Sequence, residues 1–306
     1  MIATVTSGSR LHLGFTSLSS GPKPWSGIGL MTEEPKVTVR VVSRGAGRLL
    51  CSRDHEEVVR SVAEALTVEL GSFDVEVSAP PLHVGLGTTT QLTLALGAAL
   101  STVTGIRFDP LSHARLTGRG KRSWVGIAGF IGGGLVVDLG RREDDAWAHD
   151  FVNVEFPRDW AVLLVWPVGE RGLSGGVEEE AIAAAEDPWG QRAAVDVETV
   201  IDAVRGHDFD GFVGIVERLQ EAMSSAFSRS QGGKYHRASE GLVELLKEHG
   251  ARGIGQSSWG PTVYGFFKDR RSAESAALRL VRELEGGEFR VLVTEARNRG
   301  AEVSVR

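Results

Sequence analysis

The stretch PPLHVGLGTTTQ, residues 80–91, decides the fold of this chain. Gly85 and Gly87 remove two side chains, and we expect the backbone there to approach a ligand closely. Thr88, Thr89 and Thr90 offer hydroxyls and can cap the apolar helix predicted over 92–102. A glycine-rich turn that opens a helix is suited to bind phosphate or another anion. The stretch therefore predicts an anion site at a helix start.

Length and charge limit the classes of protein that fit. The 306 residues suffice for two domains, and the 42% hydrophobic and 24% charged content is typical of a soluble globular protein. With 34 basic and 40 acidic residues the formal net charge is −6. A general nucleic-acid binder needs a basic surface, so that class is disfavoured, whereas a local basic pocket for an anionic metabolite is compatible.

Cysteine content and apolar runs indicate a cytoplasmic protein. Cys51 is the one cysteine of the sequence, which excludes an intrachain disulfide and fits a reducing compartment. No activating partner stands near it in the sequence, so we interpret it as a passive thiol. The apolar runs 127–137 and 161–168 are too short to span a bilayer, and no signal peptide is recognisable.

The pattern of strands and helices lacks strict βαβ alternation, which favours an α+β fold over a doubly wound sheet. A boundary near 150–158 divides the chain into predicted domains 1–155 and 156–306. Predicted strands are 2–15, 36–42, 73–78, 134–139, 160–167, 253–257, 262–267, 288–294 and 301–305. Predicted helices are 56–70, 92–102, 111–118, a short one from Val125, 177–186, 191–205, 211–227, 236–249 and 271–285. The stretches 19–27 and 141–150 are interpreted as a loop and as an exposed hairpin tip or linker.

Five segments together resemble a known enzyme family. The glycine–threonine run resembles the phosphate loop of the GHMP kinase superfamily. With SRLHLGF (9–15), GIGLMTEEP (27–35), GRGKRSWVGIA (118–128) and GIGQSSWGPTVYG (253–265), the chain resembles β-ribofuranosylaminobenzene 5′-phosphate synthases over most of its length. The resemblance implies a two-domain GHMP-kinase-like fold, with an N-terminal half like ribosomal protein S5 domain 2 and a ferredoxin-like C-terminal half. Thr89 and Trp124 depart from the family pattern, because each stands where a glycine is usual.

The resemblance implies a transferase of methanopterin biosynthesis that uses phosphoribosyl pyrophosphate (PRPP). The ring carbon of 4-aminobenzoate or 4-hydroxybenzoate attacks C1 of PRPP, and pyrophosphate and CO2 leave. An ATP-dependent small-molecule kinase of the same superfamily is the alternative, and a non-catalytic sensor of a sugar phosphate is a third hypothesis. Aligned on Ser123 and on Gly133-Gly134, the kinase aspartate falls on Gly126, which favours the transferase.

Candidate site residues follow from the chemistry of a leaving pyrophosphate. Helix-start N–H groups and nearby cations stabilise the leaving charge, with Mg²⁺ as the PRPP complex and no protein-held metal. The predicted catalytic residues are Arg10 as an anion partner, His12 as a proton shuttle near neutral pH, and Lys121, Arg122 and Ser123. The predicted substrate-binding residues are His83, Gly85, Leu86, Gly87, Thr88, Thr89, Thr90, Gln91, Arg119, Gln256, Ser257, Ser258 and Trp259. Trp259 offers a stacking face for the aromatic ring.

Some residues have competing interpretations. Gly172-Leu173-Ser174-Gly175-Gly176 matches a hydrolase nucleophile elbow, with His207, His236 or His249 as its base, but Ser174 is better interpreted as the N-cap of an acidic first turn at 178–180. Glu33 and Glu34 are expected to lie in solvent, although either can help to bind Mg²⁺. His83 is compatible with a structural role. The implied partners are PRPP and a 4-substituted benzoate in a homodimer, without nucleic acid or membrane.

Overall fold

The structure is a computed structural model that describes residues 1–18, 24–145, 147–185 and 195–306. Two mainly antiparallel sheets organise these residues. The first contains β1 (Ile2–Phe15), β2 (Gly27–Ser43), β3 (Leu49–Leu50), β4 (Phe73–Ser78), β5 (Leu135–Arg141), β6 (His149–Val154) and β11 (Glu302–Val305). The second contains β7 (Ala161–Pro167), β8 (Arg252–Gln256), β9 (Val263–Phe267) and β10 (Phe289–Glu295).

The strand order shows how the two halves of the chain are joined. The first sheet runs β11-β1-β2-β4-β3, with β5 on β2 and β6 on β5, and the second runs β10-β7-β9-β8. The predicted boundary at 155/156 falls between β6 and β7, while β11 crosses back and pairs with β1 through Ala3 and Val305. The division into two domains stays a prediction, and the last strand belongs to the sheet of the first half.

The helices cover the two sheets. They are α1 (Arg53–Ala65), α2 (Thr88–Thr104), α3 (Pro110–Leu116), α4 (Val125–Gly132), α5 (Gly175–Ala183), α6 (Val197–Arg205), α7 (Phe209–Gln231), α8 (Glu240–Glu248) and α9 (Arg270–Glu283). Helix α2 is buried along most of its length and packs against β1 and β2, whereas α7 packs against β8 and β1. No helix among the described residues is long and apolar enough to cross a membrane.

Three strands differ from the sequence-based expectation, of which the two-residue β3 was not predicted at all. β2 begins at Gly27 rather than at residue 36. The sequence did not predict the first part of this strand, because GIGLMTEEP lacks the two-residue alternation of a half-buried strand. The segment is largely buried and packs against α4. A Cβ at Gly29 would lie 2.2 Å from Val125 Cγ1, so a glycine permits this contact. β6 occupies part of the predicted linker and pairs with β5, with His149 buried. The end of the predicted helix 177–186, the start of the predicted helix 191–205 and part of the loop 19–27 lie outside the described residues.

A shared apolar core places one face of β1 at the junction of the two sheets. Leu11 and Leu13 pack with side chains of β2, β5, β7, β9, α6 and α7. Because successive side chains of a strand point to opposite faces, Arg10 and His12 project away from this core. The alternation therefore presents two polar side chains to the cavity described below.

Gly85→Ala tests the contact between the halves. Gly85 has φ +90°, and a Cβ there would lie 2.5 Å from the Ser257 carbonyl oxygen. We expect the substitution to lower the free energy of unfolding by about 3 kcal/mol, because it combines backbone strain with overpacking. Gly214→Ala in α7 is the control, since its Cβ would meet nothing within 4 Å, and it should raise stability by about 0.5 kcal/mol. Urea unfolding that gave equal stabilities for Gly85→Ala and the wild type would contradict this role.

Candidate active site

A cavity of about 730 Å³ opens where β1, the start of α2, the segment 118–123, α5, α7 and the loop 256–260 meet. Most of the predicted site residues line it, although they come from segments far apart in the sequence. They are Arg10, His12, His83, Gly85, Gly87, Thr88, Thr89, Thr90, Arg119, Lys121, Arg122, Ser123, Gln256, Ser258 and Trp259. Their roles in binding and catalysis stay predictions.

Three predicted substrate-binding residues lie behind the wall of the cavity. Leu86 is part of the shared core. Gln91 is fully buried, and its Nε2 donates to the Gly126 carbonyl oxygen at 2.7 Å. Ser257 is also fully buried; its Oγ donates to the Gly85 carbonyl oxygen at 2.6 Å and accepts the His12 N–H at 3.0 Å. The side chains of these residues therefore shape the site rather than face it.

The start of α2 differs from the expectation in which residue caps the helix, and its anion-binding role stays a prediction. Gly87, with φ 67°, is the N-cap, and the three threonines form the first helical residues instead of capping them. Its carbonyl oxygen accepts the N–H groups of Thr90 and Gln91, both at 3.1 Å. The N–H groups of Thr88 and Thr89 are the outward-pointing donors of this helix start.

The two glycines of the loop are also needed for packing, while their predicted role in letting a ligand approach the backbone stays a prediction. A Cβ at Gly85 would collide with the Ser257 carbonyl oxygen, whereas a Cβ at Gly87 would lie 3.0 Å from Cβ and Nε of Arg10. Gly87 therefore makes room for the Arg10 side chain beside the helix start.

Arg10 is a half-buried cation, and part of its guanidinium group is buried without a hydrogen-bond partner. Its Nε and Nη1 are buried and meet no acceptor among the described residues. Burial lowers the pKa of Arg10 to about 10, while the negative charge of Glu178 opposes that shift. Arg10 therefore remains charged at neutral pH, and an anionic ligand would supply the missing acceptors.

His12 is neutral at physiological pH, contrary to the predicted proton shuttle near neutral pH. Its side chain is 6% exposed. Burial first, and then the charge of Arg10, lower the pKa of His12 to about 3. Nε2 lies 3.4 Å from Ser123 Oγ, and the ring packs on Phe15 at 4.5 Å between centroids. His12 is therefore a neutral hydrogen-bonding group in the ligand-free protein.

The basic segment is partly neutralised by α5. Arg122 lies 3.7 Å from Glu178 Oε1 and 3.3 Å from Glu179 Oε1. Trp259 Nε1 also donates to Glu178 Oε1 at 3.2 Å. Burial lowers the pKa of Arg119, opposed by Glu178, while Lys121 is exposed. Sequence reasoning missed Glu178 as a cavity residue, because only the fold brings it to Arg122.

An apolar surface also lines the cavity. It contains Phe15, Met223, Phe227 and Trp259, and the rings of Phe227 and Trp259 lie 4.8 Å apart at 67°. Such edge-to-face aromatic pairs form a firm surface on which a planar ring can pack.

The hydrolase interpretation has no support in the geometry. Ser174 occupies the N-cap position of α5 as expected, but its side chain makes no capping hydrogen bond. His207 packs against Trp160, His236 Nε2 contacts the Arg171 carbonyl oxygen, and His249 pairs with Glu283. None of these contacts joins Ser174 to a histidine among the residues that the structure describes.

Glu33 and Glu34 lie outside the cavity. Glu33 accepts from Arg297 at 2.9 Å and from Arg299 at 3.0 Å, and Glu34 pairs with Lys36. Glu33 is therefore held in an ion-pair cluster rather than in solvent. Within the described residues, no group of three or more His, Cys, Asp or Glu side chains is placed to hold a metal ion.

Comparison with known proteins identifies the class of fold. Residues 200–286 match the family model described as GHMP kinases C terminal. Homoserine kinase from Cytophaga hutchinsonii superposes with a TM-score of 0.61 at 16% identity over 99% of this chain and 97% of that one. Mevalonate diphosphate decarboxylase from Staphylococcus aureus gives 0.68 at 14% identity, over 100% and 99%. The chain has the GHMP-kinase-like α+β fold, as predicted.

Sequence similarity is more specific. The chain is 29% identical to a β-ribofuranosylphenol 5′-phosphate synthase of Archaeoglobus fulgidus, over 97% of this chain and 98% of that protein. A protein of the same name from Methanothermobacter thermautotrophicus is 25% identical, over 97% of each chain. These relatives confirm the resemblance and the synthase-like enzyme class predicted from the five segments. Their names specify a phenol.

His12→Gln tests the neutral state of His12. The folded-state pKa is about 3 and the ordinary value is 6.5, so between these values the unfolded chain binds a proton that the folded protein excludes. This group therefore lowers stability as pH falls, by about 1.4 kcal/mol per pH unit at most. In urea unfolding between pH 6.5 and pH 4, the free energy of unfolding should fall less steeply with pH in His12→Gln than in the wild type. The exposed His207→Gln variant is the control and should follow the wild type; a wild-type slope in His12→Gln would refute the assignment.

The double variant Glu178→Gln/Glu179→Gln tests competition for Arg122. We expect pyrophosphate to bind about fivefold more tightly, since each partly exposed ion pair contributes at most about 1 kcal/mol. Calorimetric titration at low and high salt measures the effect, which added salt should reduce. Glu180→Gln removes a charge from the same helix at a position without an ion pair to Arg122. If Glu180→Gln strengthens pyrophosphate binding as much as the double variant does, the net charge of the protein and not the ion pairs with Arg122 explains the effect.

Proposed function

We propose that this protein transfers the ribosyl 5-phosphate group of PRPP to the ring carbon of 4-hydroxybenzoate or 4-aminobenzoate. The products are a β-ribofuranosyl-benzene 5′-phosphate, pyrophosphate and CO2. One observation carries the proposal: a single cavity is lined both by Arg10, whose buried Nε and Nη1 meet no acceptor among the described residues, and by an aromatic surface. The arginine suits a polyanionic sugar, and the aromatic surface suits a planar aromatic acid.

The anion-binding wall suits the departing pyrophosphate. As the bond from C1 to the pyrophosphate oxygen breaks, negative charge grows on that oxygen, and prearranged donors stabilise it. The N–H groups of Thr88 and Thr89, with Arg10, Lys121 and Arg122, supply such donors. Mg²⁺ would neutralise part of the diphosphate charge, and the cavity suits a metal held mainly by substrate oxygens, since Glu178 and Glu179 already pair with Arg122.

The neutral state of His12 also suits this reaction. Loss of pyrophosphate leaves positive character at C1, and a neutral imidazole nearby does not repel it. The ring carbon that bears the carboxylate donates its electron pair to C1, and loss of CO2 returns the electrons of the C–C bond to the ring. No ring proton has to leave. His12 Nε2 and Ser123 Oγ lie 3.4 Å apart, and both can form hydrogen bonds with a substrate hydroxyl and so orient it.

We favour 4-hydroxybenzoate over 4-aminobenzoate, because the names of the relatives specify a ribofuranosylphenol product. Packing of the ring against Trp259 and Phe227 would orient it without discriminating the two para substituents. A homodimeric state, as the resemblance implies, and action in the cytoplasm are part of the same proposal.

Labelled substrate tests the reaction. PRPP, Mg²⁺ and carboxyl-labelled 4-hydroxybenzoate should release labelled CO2 and pyrophosphate in equal amounts, with 4-aminobenzoate as the second acceptor. Absence of labelled CO2 with either acid would reject the transferase. ATP turnover with a small alcohol would identify a kinase, and PRPP binding without turnover would identify a sensor.

Lys121→Ala and Arg122→Ala should each reduce kcat/KM for PRPP at least about tenfold, because a charge-assisted contact to phosphate contributes about 1.5–3 kcal/mol. Arg142→Ala is the control, since Arg142 pairs with Asp144 outside the cavity. Wild-type kinetics in both cavity variants would remove these residues from the site.

A further inference from the structure

A buried acid lies behind the basic segment and is not used in the proposed reaction. Asp138 lies in the middle of β5, and His149 is at the start of β6. Both side chains are fully buried, and His149 Nδ1 lies 2.7 Å from Asp138 Oδ1. Neither residue lines the cavity. A buried acid–histidine pair that does not face a ligand calls for another reason for its presence.

Asp138 uses both carboxylate oxygens to receive N–H donors. Oδ1 accepts from His149 Nδ1 and from the Gly140 N–H at 3.0 Å, and Oδ2 accepts from the Trp124 N–H at 2.6 Å. An asparagine would turn an NH₂ group towards one of these donors and leave it unsatisfied. The arrangement therefore requires a carboxylate.

The third donor connects this pair to the cavity. Trp124 directly precedes α4, and the neighbouring Ser123 Oγ accepts the Val125 N–H at 3.3 Å while it contacts His12. The Trp124 ring stacks on the His149 imidazole with centroids 5.5 Å apart and an interplanar angle of 2°. Asp138 thus holds the backbone of Trp124, and His149 holds its ring. These contacts fix the position at which the segment 119–123 reaches the cavity.

The same strand fixes the segment at a second point. Arg141 Nη2 donates to the Lys121 carbonyl oxygen at 2.6 Å, and the Arg141 guanidinium lies over the Trp25 ring at 5.7 Å. Asp138 of β5 therefore holds Trp124, and Arg141 of the same strand holds Lys121. These two contacts lie on either side of Arg122 and Ser123 in the sequence.

We propose that Asp138 and His149 are positioning residues for the anion-binding segment. They act through Trp124 to hold Arg122 and Ser123 at the cavity, and the ligand whose binding depends on them is a diphosphate. The inference rests on the proposed function only in taking the diphosphate to be that of PRPP.

Two substitutions of His149 separate its hydrogen bond from its ring. His149→Phe keeps a ring against Trp124 and removes the donor to Asp138, whereas His149→Asn keeps a donor near the Nδ1 position. We expect His149→Phe to raise the Kd of inorganic pyrophosphate and the KM for PRPP about tenfold, the loss expected for a hydrogen bond to a buried charge. The KM for the benzoate should stay within about twofold of the wild type, and His149→Asn should restore pyrophosphate binding to within about threefold.

Calorimetry with pyrophosphate and steady-state kinetics on the intact protein supply these values, and proton NMR follows the imidazole N–H that bonds to Asp138. That signal should disappear in His149→Phe and shift when pyrophosphate binds. His249→Gln is the matched control, because His249 also pairs with a carboxylate, that of Glu283, at 3.0 Å, and neither residue lines the cavity. It should bind pyrophosphate as the wild type does.

Three results would overturn the proposal. They are a folded His149→Phe variant with a wild-type Kd for pyrophosphate, an equal loss in His149→Asn and His149→Phe, and an equal rise in the two KM values. If the wild type binds pyrophosphate but does not turn over PRPP, the proposed function fails, and the change of Kd in His149→Phe still decides the positioning role. Asp138→Asn adds a second measurement wherever it folds.

Discussion

The junction between residues 83–86 and the C-terminal half of the chain determines the rest of the site. The Val84 carbonyl oxygen accepts both the N–H and the hydroxyl of Thr262, and the Gly85 carbonyl oxygen accepts Ser257 Oγ. Because unsatisfied buried carbonyl groups cost free energy, these hydrogen bonds fix the segment that leads into α2. The start of α2 is therefore positioned by residues that lie 172 to 178 positions later in the chain.

The same junction produces the unusual electrostatics of the cavity. β1 places Leu11 and Leu13 in the shared core, so Arg10 and His12 lie on its other face. There they line the cavity together with residues of α7 and of the loop 256–260. Removing a guanidinium from water without an acceptor is unfavourable, and the folded protein tolerates this cost through its large apolar core. A bound anion would recover part of it. The pKa values of Arg10 and His12 are both lowered, chiefly by burial, because the same closure covers them.

Local sequence identified the features that depend on neighbouring residues. The glycine–threonine run predicted a helix start with free N–H groups, and the alternation of β1 predicted two polar side chains on one face. The five segments in order indicated the fold and the synthase-like relatives. The segment GRGKRSW was also predicted to be a basic loop before a short helix, as α4 confirms.

Sequence could not identify contacts that only the fold creates. Glu178 meets Arg122 from a helix 56 residues away, and its neighbours predict no more than an acidic first turn. His149 was assigned to an exposed linker, yet it is buried against Asp138 because β6 pairs with β5. The close approach of Gly85 to the Ser257 carbonyl oxygen was likewise not predictable from the sequence, because the two residues are far apart in the chain.

Under the proposed function, the start of α2 would serve a chemistry other than that of a kinase. N–H groups at a helix start and nearby cations respond to the charge of a diphosphate and not to the group attached to it. The proposed transferase would differ from a kinase in the part of the cavity that contacts the second substrate. A Cβ at Gly126 would lie 3.2 Å from Thr90 Cγ2, so a carboxylate there would require Thr90 to move. The apolar surface of Phe15, Met223, Phe227 and Trp259 also lines the cavity. With a ring as the attacking group, as proposed, no hydroxyl would have to be deprotonated, and a neutral histidine beside an apolar surface would suffice.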